Sequence, residues 1–320
     1  MQTTQMKTDF SIFTKNGQIN SLGSKKTIVA LGTFDGVHIA HRQLIDKAIE
    51  LRNCKAQGAL VGAWCFEKPP MEILKGIKVP TITSIDEKIQ LLLSFGLDFV
   101  AVGDFARFKD HSAESFITDT LKNDLLCIGT VCGYNHRFGL GGMGNFALLQ
   151  TNFGESAICV SEITVNGETV SSSAIRSKIM SGNIKGANLM LGRNYFLQGM
   201  VVSGKQLGRT MGFPTANQFF RDNAVIPLYG IYAVRCTTDD GKQYIGTANV
   251  GIRPSIKDES DSHKVTCETY IHGFTGDLYA KTLTVEFCDL IRAEKEFESI
   301  EALKNAIHSD VEKTSKILNN

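Results

Sequence analysis

Apolar residues in the first half of the chain fall into short runs separated by longer stretches of helical spacing. Thr27-Ile28-Val29-Ala30-Leu31, Ala59 to Cys65, Phe99-Val100-Ala101-Val102 and Cys127 to Cys132 are runs of strand length. Between them, Arg42 to Arg52 places Leu44, Ile45, Ala48 and Ile49 on one helical stripe, and Ser112 to Leu121 is a second helical stretch. Ser84 stands where an N-cap would open a helix, with Asp86 and Glu87 in the first turn and Leu91-Leu92-Leu93 behind them. Strands alternating with helices predict a parallel sheet covered by helices on both faces.

From about Tyr195 the period changes. Gly199-Met200-Val201-Val202, Ile231-Tyr232-Ala233-Val234, Tyr244-Ile245-Gly246, Thr266 to Ile271 and Leu283-Thr284-Val285-Glu286-Phe287 are short, punctuated by Gly and Pro at intervals that suit a small β-barrel. A closing helix is predicted from Ser299 to about Ile317, with Ile300, Leu303, Ile307 and Val311 on one face. The helical segment Ser173 to Leu191 reads as the linker. The expected architecture is an α/β domain over 1–186 followed by a β-barrel domain with a terminal helix over 187–320.

Composition adds exclusions. The 320 residues suit two domains, and 42% hydrophobic against 21% charged residues is ordinary globular usage. With 34 Lys+Arg against 33 Asp+Glu there is no basic excess to grip a phosphate backbone, so nucleic acid is not an expected partner. No apolar run reaches the ~18 residues that would span a bilayer, and no secretory leader is visible at the N-terminus. The eight cysteines are scattered without a Cys-x-x-Cys pair and read as reduced thiols of a cytoplasmic protein, mostly packed in apolar stretches.

Chemistry concentrates in a few places. Gly32-Thr33-Phe34-Asp35-Gly36-Val37-His38-Ile39-Ala40-His41 joins the first strand to the first helix. A strand end feeding a helix N-terminus presents N–H groups to a phosphate, and Gly32 and Gly36 permit close approach. His38 and His41 share one side of the first turn, where imidazoles could stabilise charge developing in phosphoryl transfer. Ser171-Ser172-Ser173 with Arg176 one turn later is a second anion candidate. Further on, Gly204-Lys205-Gln206-Leu207-Gly208-Arg209 could fold over phosphates, and Thr215 and Asn217 offer oxygen ligands to a hard cation such as Mg²⁺. Two decoys fail. Gly139 to Gly144 fits a dinucleotide fingerprint, with Glu162 downstream, but its flanks belong to another pattern; Gly199 to Gln206 resembles a P-loop but lacks its Ser/Thr.

Gly-x-Phe-Asp-x-x-His-x-x-His followed by Ser-Ser-Ser-x-x-Arg resembles the nucleotidylyltransferase superfamily, with its Rossmann-like fold. Phe34 to His38, with Asn135 to Phe138, is similar to the FMN adenylyltransferase module of the prokaryotic bifunctional FAD synthetases. Pro214-Thr215-Ala216-Asn217, Gly246 to Pro254 and Glu268-Thr269-Tyr270 resemble riboflavin kinase. The resemblance implies ATP-dependent phosphorylation of riboflavin in the C-terminal half and joining of FMN to AMP in the N-terminal half. It further implies that Glu268 is the general base and that Thr215 and Asn217 hold ATP·Mg²⁺. Gly204, Lys205, Gly208 and Arg209 would surround the same nucleotide. In the first half it implies catalytic roles for His38, His41, Asn135 and Arg176, nucleotide contacts from Gly32 to Gly36 and Ser171 to Ser173, and flavin contacts from Asn135 and Phe138; Arg292 is the flavin residue of the second. Departures stand at Ala40, for the Gly of His-x-Gly-His, at Lys68-Pro69-Pro70, for Pro-His-Pro, and at Leu140 to Met143, which lacks the usual basic residues. They leave as alternatives a kinase with a silent N-terminal domain, or an adenylyltransferase acting on a different phosphorylated molecule.

Overall fold

The computed structural model describes residues 9–204, 208, 211–252 and 264–319. The chain divides into two compact units, 1–172 and 173–320.

The first unit is built on a seven-stranded sheet in the order β2-β1-β5-β4-β3-β6-β7. Its strands are β1 (Phe10–Thr14), β2 (Gly17–Ile19), β3 (Thr27–Leu31), β4 (Leu60–Phe66), β5 (Phe99–Gly103), β6 (Cys127–Gly133) and β7 (Ala157–Val160). The strands β3 to β7 run parallel, as the uninterrupted apolar runs predict, while β1 pairs antiparallel with β5 and carries β2 as a hairpin edge. Side chains alternate strictly. Ile28 and Ala30 face a core shared with α1 (Ile39–Lys55), α2 (Pro70–Lys75) lies outside it, and α3 (Ile85–Ser94) packs Ile89, Leu92 and Leu93 into it. Val29, Leu31, Trp64 and Phe99 face the opposite core. That side is covered by α5 (Ala113–Ser115), which follows the short α4 (Phe105–Phe108) and runs into a π-helical stretch (Phe116–Asp124), and by α6 (Phe146–Phe153). Ser84 caps α3 through a capping box with Glu87, as its sequence announces. A small hairpin, β8 (Thr164–Val165) and β9 (Glu168–Thr169), turns on Asn166-Gly167, both in the left-handed region that a two-residue turn needs.

In the second unit the helical segment expected from Ser173 to Leu191 forms two helices, α7 (Ser172–Met180), starting at the division, and α8 (Ile184–Leu191). The second is stitched to the sheet, its Asn188 amide donating to the Phe287 carbonyl and its carbonyl oxygen accepting from the Tyr195 N–H. The sheet has six antiparallel strands in the order β10-β15-β12-β13-β14-β11. They are β10 (Tyr195–Met200), β11 (Thr215–Phe219), β12 (Gly230–Thr238), β13 (Gln243–Ile252), β14 (Val265–Ile271) and β15 (Thr282–Ala293). The sheet curls until the Val202 N–H donates to the Asn217 carbonyl at 2.8 Å, joining its two edges. The buried Gln218 amide reinforces the seam by donating to Gly199 and Leu283 carbonyls at 2.9 and 2.8 Å. The chain closes on α9 (Ile300–Leu318), capped by Ser299.

Candidate active sites

The first site lies at the carboxyl end of the parallel strands, where loops leave a cavity of about 780 Å³. The loop after β3 makes its floor. Phe34 and Val37 are fully buried and hold positive φ of 52° and 39°, conformations that a bulky or β-branched residue adopts only when its surroundings impose them. A brace does so. The buried Asp35 carboxylate accepts from the Ile82 and Thr83 N–H groups at 2.9 and 3.3 Å, the Gly36 N–H donates to Thr83 Oγ1 at 3.2 Å, and the Ser172 hydroxyl donates to the Asp35 carbonyl at 2.9 Å. Gly36, at φ 79°, has no room for a side chain, since a Cβ there would lie 2.9 Å from Ile82 Cδ1.

His38 is the N-cap of α1. Its Nδ1 accepts from the His41 N–H at 3.4 Å, and His41 Nδ1 accepts from the His38 N–H at 3.3 Å. The rings stack 3.6 Å apart. With both Nδ1 atoms accepting, each ring in its neutral form carries its proton on Nε2, so two N–H donors arise side by side on residues that line the cavity. Gly32, Thr33, Ala40, Asn135, Phe138, Ser171 and Ser172 also line it, whereas Phe34, Asp35 and Gly36 support the floor from behind. The Phe34 ring packs on His41 at 4.9 Å.

The same cavity has an aromatic wall that no motif in the sequence announces. Trp64 meets Phe108 and Phe116 edge-on at 5.0 and 5.3 Å, and Phe66 meets Phe105 at 5.0 Å. Apolar positions inside strands and helices look like core residues in sequence, and these become a pocket wall only because they occur where strands end. The loop after β6 completes the enclosure. His136 stacks on Phe138, and burial pushes its pKa down to about 4, so it is neutral at physiological pH. The Gly139 to Gly144 decoy is a tight turn closed by a Phe138–Gly144 bridge, packed so that a Cβ on Gly139 would meet the Ala113 backbone at 2.6 Å. Glu162 accepts from the Tyr134 and Thr169 hydroxyls at 3.2 and 2.6 Å.

The second site is a row across three strands. Antiparallel register sets Asn217 of β11 opposite Glu268 of β14, and Glu268 opposite Asn249 of β13. Paired residues share a face, and so do residues two apart, so Thr215, Asn217 and Glu268 are neighbours. The alternate residues Ala216, Thr269 and Cys267 fill the barrel interior. Two glycines of the preceding segment are required sterically. A Cβ on Gly204 would lie 2.5 Å from Asn217 Nδ2, and one on Gly208 would lie 2.3 Å from the Phe213 carbonyl oxygen. Lys205 and Arg209 lie outside the described residues.

The terminal helix covers one end of this face. Thr247 Oγ1 bonds Thr314 Oγ1 at 2.8 Å and His272 Nε2 at 2.9 Å, and Phe213 meets both Tyr270 and His308 edge-on. Arg292 holds the almost fully buried Asp310 of α9 through Nε at 3.0 Å and Nη2 at 2.8 Å. Ser173 and Arg176 belong to the second unit, where Arg176 donates to the Ser173 hydroxyl at 3.1 Å.

Comparison with known proteins separates the same two halves. Residues 21–174 match the family model described as FAD synthetase, and residues 191–318 match that of riboflavin kinase. The bifunctional riboflavin kinase/FMN adenylyltransferase of Haemophilus influenzae is 34% identical over 91% of this chain and 94% of its own length. That of Bacillus subtilis is 30% identical over 92% and 93%, and that of Escherichia coli K12 33% over 88% and 90%. A crystal structure from Streptococcus pneumoniae, described as a macrolide-efflux protein, superposes with a TM-score of 0.82 at 27% identity, over 91% of this chain and 94% of its own. That description belongs to the other protein; among the described residues here, no helix is long and apolar enough to cross a membrane. Two sites on two folds, each matched by its own family model and joined in relatives that span the same length, make this chain a member of the bifunctional riboflavin kinase/FMN adenylyltransferase family, which phosphorylates riboflavin to FMN and adenylylates FMN to FAD.

Proposed function

We propose that adenylyl transfer takes place in the cavity of the first unit and phosphorylation on the Thr215–Asn217–Glu268 face of the second. By motif, the adenylyltransferase is assigned to 1–186, which counts α7 with its Ser173 and Arg176 to that activity, and the kinase to 187–320. The observation that carries the first assignment is the reciprocal His38–His41 capping pair, which directs two Nε2 donors to one cavity. There an FMN phosphate oxygen attacks the α-phosphorus of ATP, and pyrophosphate departs. His38 and His41 stabilise charge on the transferring and leaving phosphates, while Ser171 and Ser172 hold the triphosphate; Ser173 and Arg176, which the motif adds to them, lie in the second unit. Asn135 and Phe138 stand at the flavin side, with the aromatic wall offering stacking surface.

In the kinase, Glu268 accepts the proton of the riboflavin 5′-hydroxyl as it attacks the γ-phosphorus of ATP, and ADP leaves. Gly204, Lys205, Gly208 and Arg209 are the nucleotide residues that the motif assigns, Lys205 and Arg209 lying outside the described residues. Arg292 serves the flavin end, where its grip on Asp310 positions α9. A hydroxyl and an amide oxygen on one face, in register with a carboxylate, suit a hard cation, so Thr215 and Asn217 would hold Mg²⁺. Bound there, the ion neutralises phosphate charge. Dependence on ATP and eight unpaired thiols fit a cytoplasmic protein.

Chromatography of flavins formed from riboflavin, ATP and Mg²⁺ tests the assignment. Glu268→Gln is expected to abolish FMN formation and still convert supplied FMN to FAD; His38→Ala is expected to accumulate FMN without FAD. Loss of both activities in either folded variant refutes the two-site assignment.

A further inference from the structure

Lys88, on the second turn of α3, is only 6% exposed. Its Nζ donates to the Phe66 carbonyl at 3.3 Å, a long bond to a neutral acceptor. Among the described residues no carboxylate lies within ion-pair distance of it. A buried ammonium with one weak neutral partner is costly, because desolvation of the charge is not offset by an opposite charge. Buried cations in folded proteins are ordinarily paired, so the missing partner is a feature to be explained.

Its position suggests what the partner is. Phe66 ends β4, at the carboxyl edge of the sheet, and lines the adenylyl-transfer cavity, with the Lys88 ammonium behind its carbonyl rather than on the lining itself. The segment that opens α3 is the one braced to the phosphate loop: Ile82 and Thr83 hold the Asp35 carboxylate, and Thr83 holds the Gly36 N–H. Lys88 stands one turn beyond that brace, so the ammonium, the end of β4 and the loop leading to His38 are fixed to one another. Cys65, next in line on β4, has its thiol pushed up by burial, with Lys88 acting in the opposite sense. No other lysine is buried among the described residues.

We infer that Lys88 is a phosphate-binding residue of the adenylyltransferase, an ammonium left without a protein counter-charge so that a substrate phosphate supplies it. The inference rests on the assignment of this cavity to adenylyl transfer. FMN and the pyrophosphate portion of ATP both bring such a group, and the two directions of the reaction separate them. An unpaired charge of this kind sacrifices stability in the empty protein for affinity in the loaded one.

Lys88→Gln in the full chain is the test, because it keeps a neutral donor for the Phe66 carbonyl and removes the charge. FAD formation is expected to fall by at least about 30-fold in kcat/KM, with riboflavin kinase activity unchanged in the same preparation and the melting temperature of the empty protein not lowered. A rise in KM for FMN in the forward direction assigns the FMN phosphate, and a rise in KM for pyrophosphate in the reverse direction assigns the leaving group. Wild-type FAD formation by the folded variant overturns the inference and leaves Lys88 as a tether between α3 and β4. Lys88→Met, which removes the donor as well, serves if the glutamine variant does not fold. In ¹⁵N-lysine-labelled wild-type protein the buried ammonium signal is expected to move on adding pyrophosphate or FMN, and a signal unmoved by both again overturns it. A wild-type protein that makes no FAD fails the site assignment itself, an outcome distinct from a variant that matches an active wild type.

Discussion

Histidine is an uncommon N-cap, yet His38 and His41 cap one another, and the cost of fixing two imidazoles is met by the bonds that also set their tautomer. His136 shows the same economy. Its pKa near 4, against the usual 6.5, means that the unfolded chain takes up a proton on acidification that the folded chain refuses. Well above pH 6.5 neither state is protonated there and nothing is lost; as the pH falls through 6.5 toward 4 stability declines, by about 3 kcal/mol in all. Calorimetric melting of His136→Gln should therefore fall less between pH 7 and pH 4.5 than melting of the wild type, and equal slopes would show that His136 titrates normally. The spacing of the histidines was legible in the sequence because both belong to one contiguous motif. Lys88 was not, since a lysine on an amphipathic helix reads as a solvated position until the end of β4 is seen beside it. Asp35 reads as a nucleotide ligand, and its bonds to Ile82 and Thr83 join segments 47 and 48 residues apart, a distance no local pattern spans.

Secondary-structure elements divide along the same line. The segments Thr27–Leu31, Ser84 onward and Ser299 onward carry their own signals, an apolar run or a capping residue, and form where those signals place them. The hairpin of β1 and β2 was missed because Gly17-Gln18-Ile19 is too short and polar to register, and it exists by pairing with β5. The strand β11 was hidden by the glycine-rich stretch before it, which reads as loop. Register then does what propensity could not, because pairing with β14 brings Asn217 to Glu268. The terminal helix carries one buried ion pair. Asp310→Ala leaves the Arg292 guanidinium without its carboxylate, and such a loss costs about 3–5 kcal/mol. Urea unfolding of the variant should show a decrease of that order, and a change below about 1 kcal/mol would mean that α9 is held without this ion pair, by its apolar face and the Thr314–Thr247 bond.

For the molecule as a whole, the change of period from about Tyr195 was visible at once, and the split into an α/β unit and an antiparallel barrel followed from it. The two compact units meet at 172/173, which counts α7 and α8 with the second. The proposed separation of the two sites has a kinetic corollary. An equimolar mixture of Glu268→Gln and His38→Ala chains should make FAD from riboflavin, since FMN released by one chain can enter the other. Failure of the mixture, with each chain retaining its single activity, would mean that FMN does not leave the chain that makes it.

Trp64 is the only tryptophan of the chain, and it stands in the wall of one cavity of one unit. Its emission overlaps flavin absorption, so flavin seated against that wall drains the indole's excited state by energy transfer at very short range. On the proposed assignment of that cavity, quenching of the indole gauges flavin occupancy of the adenylyl-transfer site without a label.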